Sequence, residues 1–314
     1  MIRTSLALIA SAALAFPALA QATPDPAACH KVSFSDVGWT DITATTALTT
    51  TVLEALGYET TTQVLSVPVT FSGLSTDDLD VFLGLWLPTM EADVAPYRDA
   101  GTVELLGTNL TGAKYTLATN KAGADLGITS FDAIAAHADD LDGKIYGIEP
   151  GNDGNRLLLD MVATDKFGMG TFEVVESSEQ GMLAQVARAD GAGEPVVFLG
   201  WEPHPMNSQF QLTYLTGGDE VFGPNLGGAE VQTATRAGLS RDCPNLGRFL
   251  ANLTFTLPME NEVMGRILND GQEPGRAAGD WLRENPQAVT GWLDGVTTAD
   301  GGDAAAAVTE ALAE

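Results

Sequence analysis

Cysteine and histidine are scarce in this chain, with two and three residues in 314, and basic residues are outnumbered by acidic ones, 15 to 42. His30, His137 and His204 are too scattered to suggest a metal site, and the adjacent pair Cys29-His30 alone does not make one. A formal net charge of −27 makes nucleic acid and anionic lipid surfaces poor partners. Solubility, as in a saline habitat, accounts for that acidity, since most such charges are screened within about 8 Å. No Gly-x-Ser-x-Gly, His-Glu-x-x-His, Walker loop or dinucleotide fingerprint is present, so neither a catalytic residue nor a cofactor is expected. Asp77-Asp78 and Asp139-Asp140 would be the acid pairs of a secreted hydrolase, but adjacent acids diverge in space and fit solvated loops better. Beyond the first two dozen residues no run is long and apolar enough to span a bilayer.

What is present begins with an export signal. Arg3 supplies a positive start, Leu6 to Phe16 an apolar stretch, and Ala18-Leu19-Ala20 or Ala20-Gln21-Ala22 a small-residue cleavage site. Residues 1–22 are therefore expected to be removed, leaving a soluble exported protein large enough for two lobes. In an oxidising compartment Cys29 and Cys243 fit one disulfide, with two free buried thiols as the alternative. For so long a loop the entropy model gives roughly 5 kcal/mol as an upper figure.

Three apolar runs end in tryptophan: Val32 to Trp39, Val81 to Trp86 and Val196 to Trp201. Each has the composition of a short buried strand of a parallel sheet. Helical periodicity from Ile42 to Leu56, a strand from Thr61 to Val67 and a short helix from Val69 to Thr76 make the first segment βαβαβ. Further α/β units follow: strands at Lys114–Ala118, Lys144–Ile148, Phe172–Val175, Pro195–Trp201 and Phe210–Leu215, with helices at Phe131–Ala138, Arg156–Phe167 and Glu179–Arg188. The remainder is expected to be mainly helical. The predicted fold is α/β and two-lobed, each lobe a mixed, mostly parallel sheet flanked by helices. Lobe I would comprise residues 23–111 and 205–314 with the C-terminal helices, lobe II the inserted residues 112–204, and the hinge would lie between the lobes.

Ligands of open α/β sheets bind beyond the carboxyl ends of the strands. That places Trp39, Trp86, Tyr115 and Trp201 near one cleft, while Trp281 and Trp292 fit the core of the helical region. Asp41, at the start of the first helix, adds a carboxylate beside the rings, stabilised there by the helix dipole. Asn152 caps a later helix and can lend a polar atom to the cleft. Electron-rich faces beside one acid suit a quaternary ammonium, which offers no N–H, desolvates cheaply and gains up to about 2 kcal/mol per ring. A sugar on aromatic platforms is the other ligand such faces suit.

The segments Phe34-Ser-Asp-Val-Gly-Trp-Thr-Asp-Ile-Thr-Ala-Thr45, Asp80-Val-Phe-Leu-Gly-Leu-Trp-Leu-Pro-Thr-Met90 and Phe198-Leu-Gly-Trp-Glu-Pro-His-Pro-Met-Asn207 resemble the periplasmic choline-binding proteins of bacterial ABC importers, within the glycine betaine/choline-binding group of solute receptors. The resemblance spans nearly the whole chain after the export signal. It implies a periplasmic, two-lobed receptor, expected to be monomeric, that closes on its ligand and docks transiently on a membrane permease. It assigns Trp39, Trp86, Tyr115 and Trp201 to the walls of an ammonium cage, Asp41 and Asn152 to the ligand's hydroxyl, and a disulfide to Cys29 and Cys243. Choline is preferred over glycine betaine because the carboxylate of betaine would meet Asp41, whereas a hydroxyl can donate to Asp41 and accept from Asn152. Carnitine and other quaternary ammonium solutes are the nearest alternatives.

Overall fold

The computed structural model describes residues 24–313; the expected export signal at residues 1–22 lies outside the described residues. The first segment runs β1 (Lys31–Asp36), α1 (Thr40–Ala55), β2 (Glu59–Val64), α2 (Val67–Ser75), β3 (Val81–Leu87) and α3 (Glu91–Asp99). The 17-residue strand β4 (Val103–Thr119) follows, then β5 (Lys144–Tyr146), α4 (Asp153–Ala163), β6 (Glu173–Val175), α5 (Glu179–Ala192) and β7 (Val197–Glu202). A two-residue β8 (Thr213–Tyr214) and a long β9 (Gly228–Arg236) precede helices α6 (Pro244–Asn252), α7 (Leu257–Leu268), α8 (Pro274–Glu284) and α9 (Ala304–Ala313).

The strands form one mixed sheet in the order β2-β1-β3-β9-β4-β7-β5-β6, with β8 added against β4. Parallel pairs lie toward both ends (β1 with β2 and β3, β5 with β6 and β7), and the antiparallel strands β9 and β4 join them. The early part of β4 pairs only with β9, from Val103–Arg236 to Leu110–Val231. From Lys114 to Thr119 it pairs with β7. The changeover coincides with a register shift and with Gly112 at φ +79°, a left-handed conformation that glycine adopts without a side-chain clash.

The structure departs from the sequence expectation in three places. The segment after residue 215 is mainly helical as expected, but it also contains an unexpected strand, β9, which inserts between β3 and β4. Its inward positions are Ala229, Val231 and Thr233, which carry too little apolar weight to give a strand signal. The strand seen at Lys114–Ala118 starts eleven residues earlier, at Val103. The expected strand Phe210–Leu215 shrinks to Thr213–Tyr214 behind a short helix at Met206–Gln209.

Helix α1 is buried along most of its length between the sheet and helices α7 and α8. Two of its buried threonines bond back to the helix: Thr45 Oγ1 donates to the Asp41 carbonyl at 3.0 Å and Thr49 Oγ1 to that of Thr45 at 2.8 Å. Gly84 lets the helix approach β3, since a Cβ there would lie 2.7 Å from Ile42. Trp281 and Trp292 are buried in this helical layer, with indole N–H groups held by Glu262 and the Thr254 carbonyl. Cys29 and Cys243 form a disulfide across 214 residues. Replacing both with alanine is expected to lower the unfolding free energy by about 3 kcal/mol. Urea unfolding of the two proteins checks this, and superimposable curves would contradict it.

Candidate functional site

Trp39, Asp41, Trp86, Tyr115, Asn152 and Trp201 all line one cavity of about 270 Å³ near the middle of the sheet. Ile148 and Asp153 complete its wall. Only about 20 Å³ of that space is open to the centre of a water-sized sphere, so the cavity is tight and suits a very small ligand.

The local fold explains the convergence. Trp86 and Trp201 are the penultimate residues of β3 and β7, and Tyr115 sits opposite Trp201 in the β4–β7 register. Trp39 immediately precedes α1, which begins at Thr40, so Asp41 falls within the first turn. Asn152 caps α4, its Oδ1 accepting the Asn155 N–H at 3.1 Å, and Asp153 is the first residue of that helix. The rings stand close to perpendicular: Trp86 and Tyr115 meet at 62° with centroids 6.0 Å apart, Tyr115 and Trp201 at 85° and 6.3 Å. Phe222 supports Tyr115 from outside the cavity wall, and His204 supports Trp201.

Three of the rings are pinned through their polar atoms. Trp39 Nε1 donates to Glu149 Oε1 at 2.8 Å, Trp86 Nε1 to Asp41 Oδ2 at 3.2 Å, and Tyr115 Oη to Asn152 Oδ1 at 2.9 Å. The last contact needs Gly154, where a Cβ would lie 2.0 Å from the tyrosine oxygen. With these atoms engaged at the edges, the π faces are what the rings present to a ligand.

The electrostatics are one-sided. Among the described residues, no lysine or arginine lines the cavity. Asp41 Oδ1 and Asp153 Oδ2 are buried with no hydrogen-bond partner. Burial, then the nearby Glu179 charge, pushes the Asp41 carboxyl up to about 8. Burial likewise raises Glu149 to about 7 and Asp153 to about 6. Desolvation also lifts Asp36 from its ordinary range and holds Glu260 well above it, the latter with Asp41 as a like-charged neighbour. Such a cavity lacks positive charge, and a bound cation would return each acid to its ionised form.

Around the cavity the two ends of the sheet are tied by polar contacts that sequence reading missed. Glu179, at the start of α5, accepts from Thr40 N at 2.8 Å, Thr40 Oγ1 at 2.5 Å and His204 Nε2 at 3.2 Å. Arg156 Nη2 reaches the Thr89 carbonyl at 3.0 Å and Asp93 Oδ2 at 2.8 Å. Glu149, Glu179 and Arg156 lie 110, 139 and 63 residues from their partners in sequence. No local pattern marks such pairs. Asp153 was missed because beside a helix cap an acid passes for ordinary first-turn charge, and Ile148 because an isoleucine next to a strand passes for core.

A solved structure of an ABC-transporter choline binding protein in complex with choline is 66% identical to this chain. It gives a TM-score of 0.91, covering 92% of this chain and 100% of that one. An ABC-transporter choline binding protein in an unliganded semi-closed conformation, also 66% identical, gives 0.84 over 91% and 100%. The glycine betaine/carnitine transport binding protein GbuC of Listeria monocytogenes serotype 1/2a (strain 10403S) is 34% identical over 130 residues, 41% of this chain and 42% of that protein. The fold is thus the two-lobed α/β fold of periplasmic binding proteins. Residues 30–284 match the model of the substrate binding domain of ABC-type glycine betaine transport systems, and the chain belongs to that family.

Proposed function

We propose that this protein is the choline receptor of an ABC importer, a binding protein without turnover that works in the periplasm and delivers its ligand to a membrane permease. The observation that carries this reading is the cavity itself: four aromatic walls and two unpartnered carboxylate oxygens, with no basic side chain. A trimethylammonium fills the aromatic space, and each desolvated ring contact contributes up to about 2 kcal/mol. The ligand hydroxyl donates to Asp41 Oδ1 and accepts from Asn152, whose Nδ2 carries a further N–H besides the one given to Asp153 at 3.2 Å. Support comes from the choline-bound relative, which superposes better than the unliganded one at equal identity.

The lobes in this reading are residues 23–111 with 205–314, and residues 112–204, rotating about Gly112 and Pro203. Closure brings Tyr115, Asn152, Asp153 and Trp201 onto a ligand held by Trp39, Asp41 and Trp86, and the population shifts by the ligand's preference for the closed form. None of the described helices is long and apolar enough to cross a membrane. The family description and the Listeria relative's name make betaines the second reading. Tryptophan-fluorescence titration with choline, glycine betaine, carnitine and proline decides between them. Choline is expected to bind at least about tenfold more tightly than the others, and saturation by betaine alone would overturn the choline assignment.

The raised carboxyls add a pH dependence. Asp41, Glu149 and Asp153 hold protons in the empty closed cavity at pH values where a solvated carboxyl near 4 has none. The empty closed form is therefore favoured below about pH 4 and loses stability progressively as pH rises from about 4 to 8, Asp41 being the last of the three to give up its proton. Choline supplies the positive charge instead of the protons. The rise in melting temperature at saturating choline is accordingly expected to be larger at pH 8 than at pH 5, and equal rises at both would argue against it.

A further inference from the structure

We propose that Asp153 is a specificity-determining residue, a second carboxylate that faces the ligand from the opposite side of the cavity to Asp41 and restricts it to molecules of net positive charge. The inference rests on the choline-receptor reading and adds a residue to it. Asp153 is 1% exposed, lines the cavity, and spends one carboxylate oxygen on the Asn152 amide at 3.2 Å. Its Oδ2 is buried and unpartnered. A buried carboxylate oxygen without a donor is costly unless a cation compensates it. Thr89 and Arg156 offset only part of that cost, and burial outweighs them. Arg156 is engaged by Asp93 at 2.8 Å and by the Thr89 carbonyl, and Glu149 and Asp93 add negative charge.

Asp41 belongs to α1 and Asp153 to α4, and the two helices follow β1 and β5, which lie in opposite halves of the sheet order. Closing the halves thus drives two acids into one small dry space. A monocation such as choline relieves both. A zwitterion relieves neither in full, because its own carboxylate joins them. A neutral molecule of choline's shape leaves both uncompensated. With Asp41 alone the cavity would prefer a hydroxyl tail to a carboxylate tail, and Asp153 extends the discrimination to the charge of the head group.

The test uses calorimetric titration of the full exported chain and its Asp153→Asn variant with choline, glycine betaine and 3,3-dimethylbutan-1-ol, the uncharged carbon analogue of choline. The expected result is a fall of about tenfold or more in the choline-to-analogue affinity ratio, together with a fall in the choline-to-betaine ratio. Unchanged ratios in a variant that binds choline would overturn the proposal. Failure of the unmodified protein to bind choline would instead overturn the receptor reading. Carbon-13 NMR of the Asp153 carboxyl in the unmodified protein keeps the question open to test if the variant does not fold. Choline should move its titration to lower pH and the analogue should not, and no difference between them would refute the assignment.

Discussion

Trp86→Ala is expected to weaken choline binding by about a thousandfold, roughly 4 kcal/mol. Two losses combine. One is a desolvated cation–π face, worth up to about 2 kcal/mol. The other is the partner of Asp41, since Trp86 Nε1 is the donor to Oδ2 and Oδ1 already has none. Without the indole, Asp41 is free to turn from the position in which it meets the ligand. Trp86→Phe separates the terms: it keeps a π face and removes the N–H, so its loss should be intermediate, near tenfold. Calorimetric titration measures both, and a dissociation constant for Trp86→Ala within threefold of the original would show that this ring is not a wall of the site.

Glu179→Ala should cost choline affinity about a hundredfold, although Glu179 does not line the cavity. The carboxylate reaches across to the first residue of α1 and takes both its N–H and its hydroxyl, at 2.8 and 2.5 Å. It thereby sits at the positive end of that helix. Hydrogen bonds to a charged group contribute about 1.5–3 kcal/mol each. In the open receptor water replaces them, so only the closed form loses them. The effect should appear mainly in the dissociation rate. Glu179→Gln, which still accepts a hydrogen bond but carries no charge, should fall between. Stopped-flow fluorescence distinguishes the mechanisms: an unaltered dissociation rate in Glu179→Ala would remove this residue from closure.

The site was more legible in the sequence than the sheet that holds it. Trp39, Trp86 and Trp201 each end an apolar run, and the end of a parallel strand is where an α/β sheet places ligands, so three short patterns located one cavity. Tyr115 and Asn152 came less from pattern than from resemblance. The middle of the sheet was hidden because its strands are built from small and polar residues. The inward positions of β9 include Ala229 and Thr233, and β4 buries Asn109, which donates to the Leu83 carbonyl at 2.9 Å and to Thr233 at 3.1 Å. Hydrophobic periodicity cannot register an inward asparagine whose burial is justified by partners on other strands. Glu179 was invisible for a related reason. Its surroundings in sequence are those of an exposed first-turn acid, and only the approach of Thr40 and His204 makes it a buried one.

The place of β9 in the sheet has a consequence for biogenesis. A chain made from its N-terminus completes β3 at Leu87 and β4 at Thr119, yet the strand that separates them begins only at Gly228. For more than a hundred residues of synthesis the apolar ribbon Val81-Phe82-Leu83 has an unpaired edge, the kind of surface that recruits strands from other chains. Its native neighbour and Cys243, the partner of Cys29, are both delivered late, within fifteen residues of one another along the sequence. Until that stretch emerges, the nascent polypeptide has no native strand of its own to cover that edge.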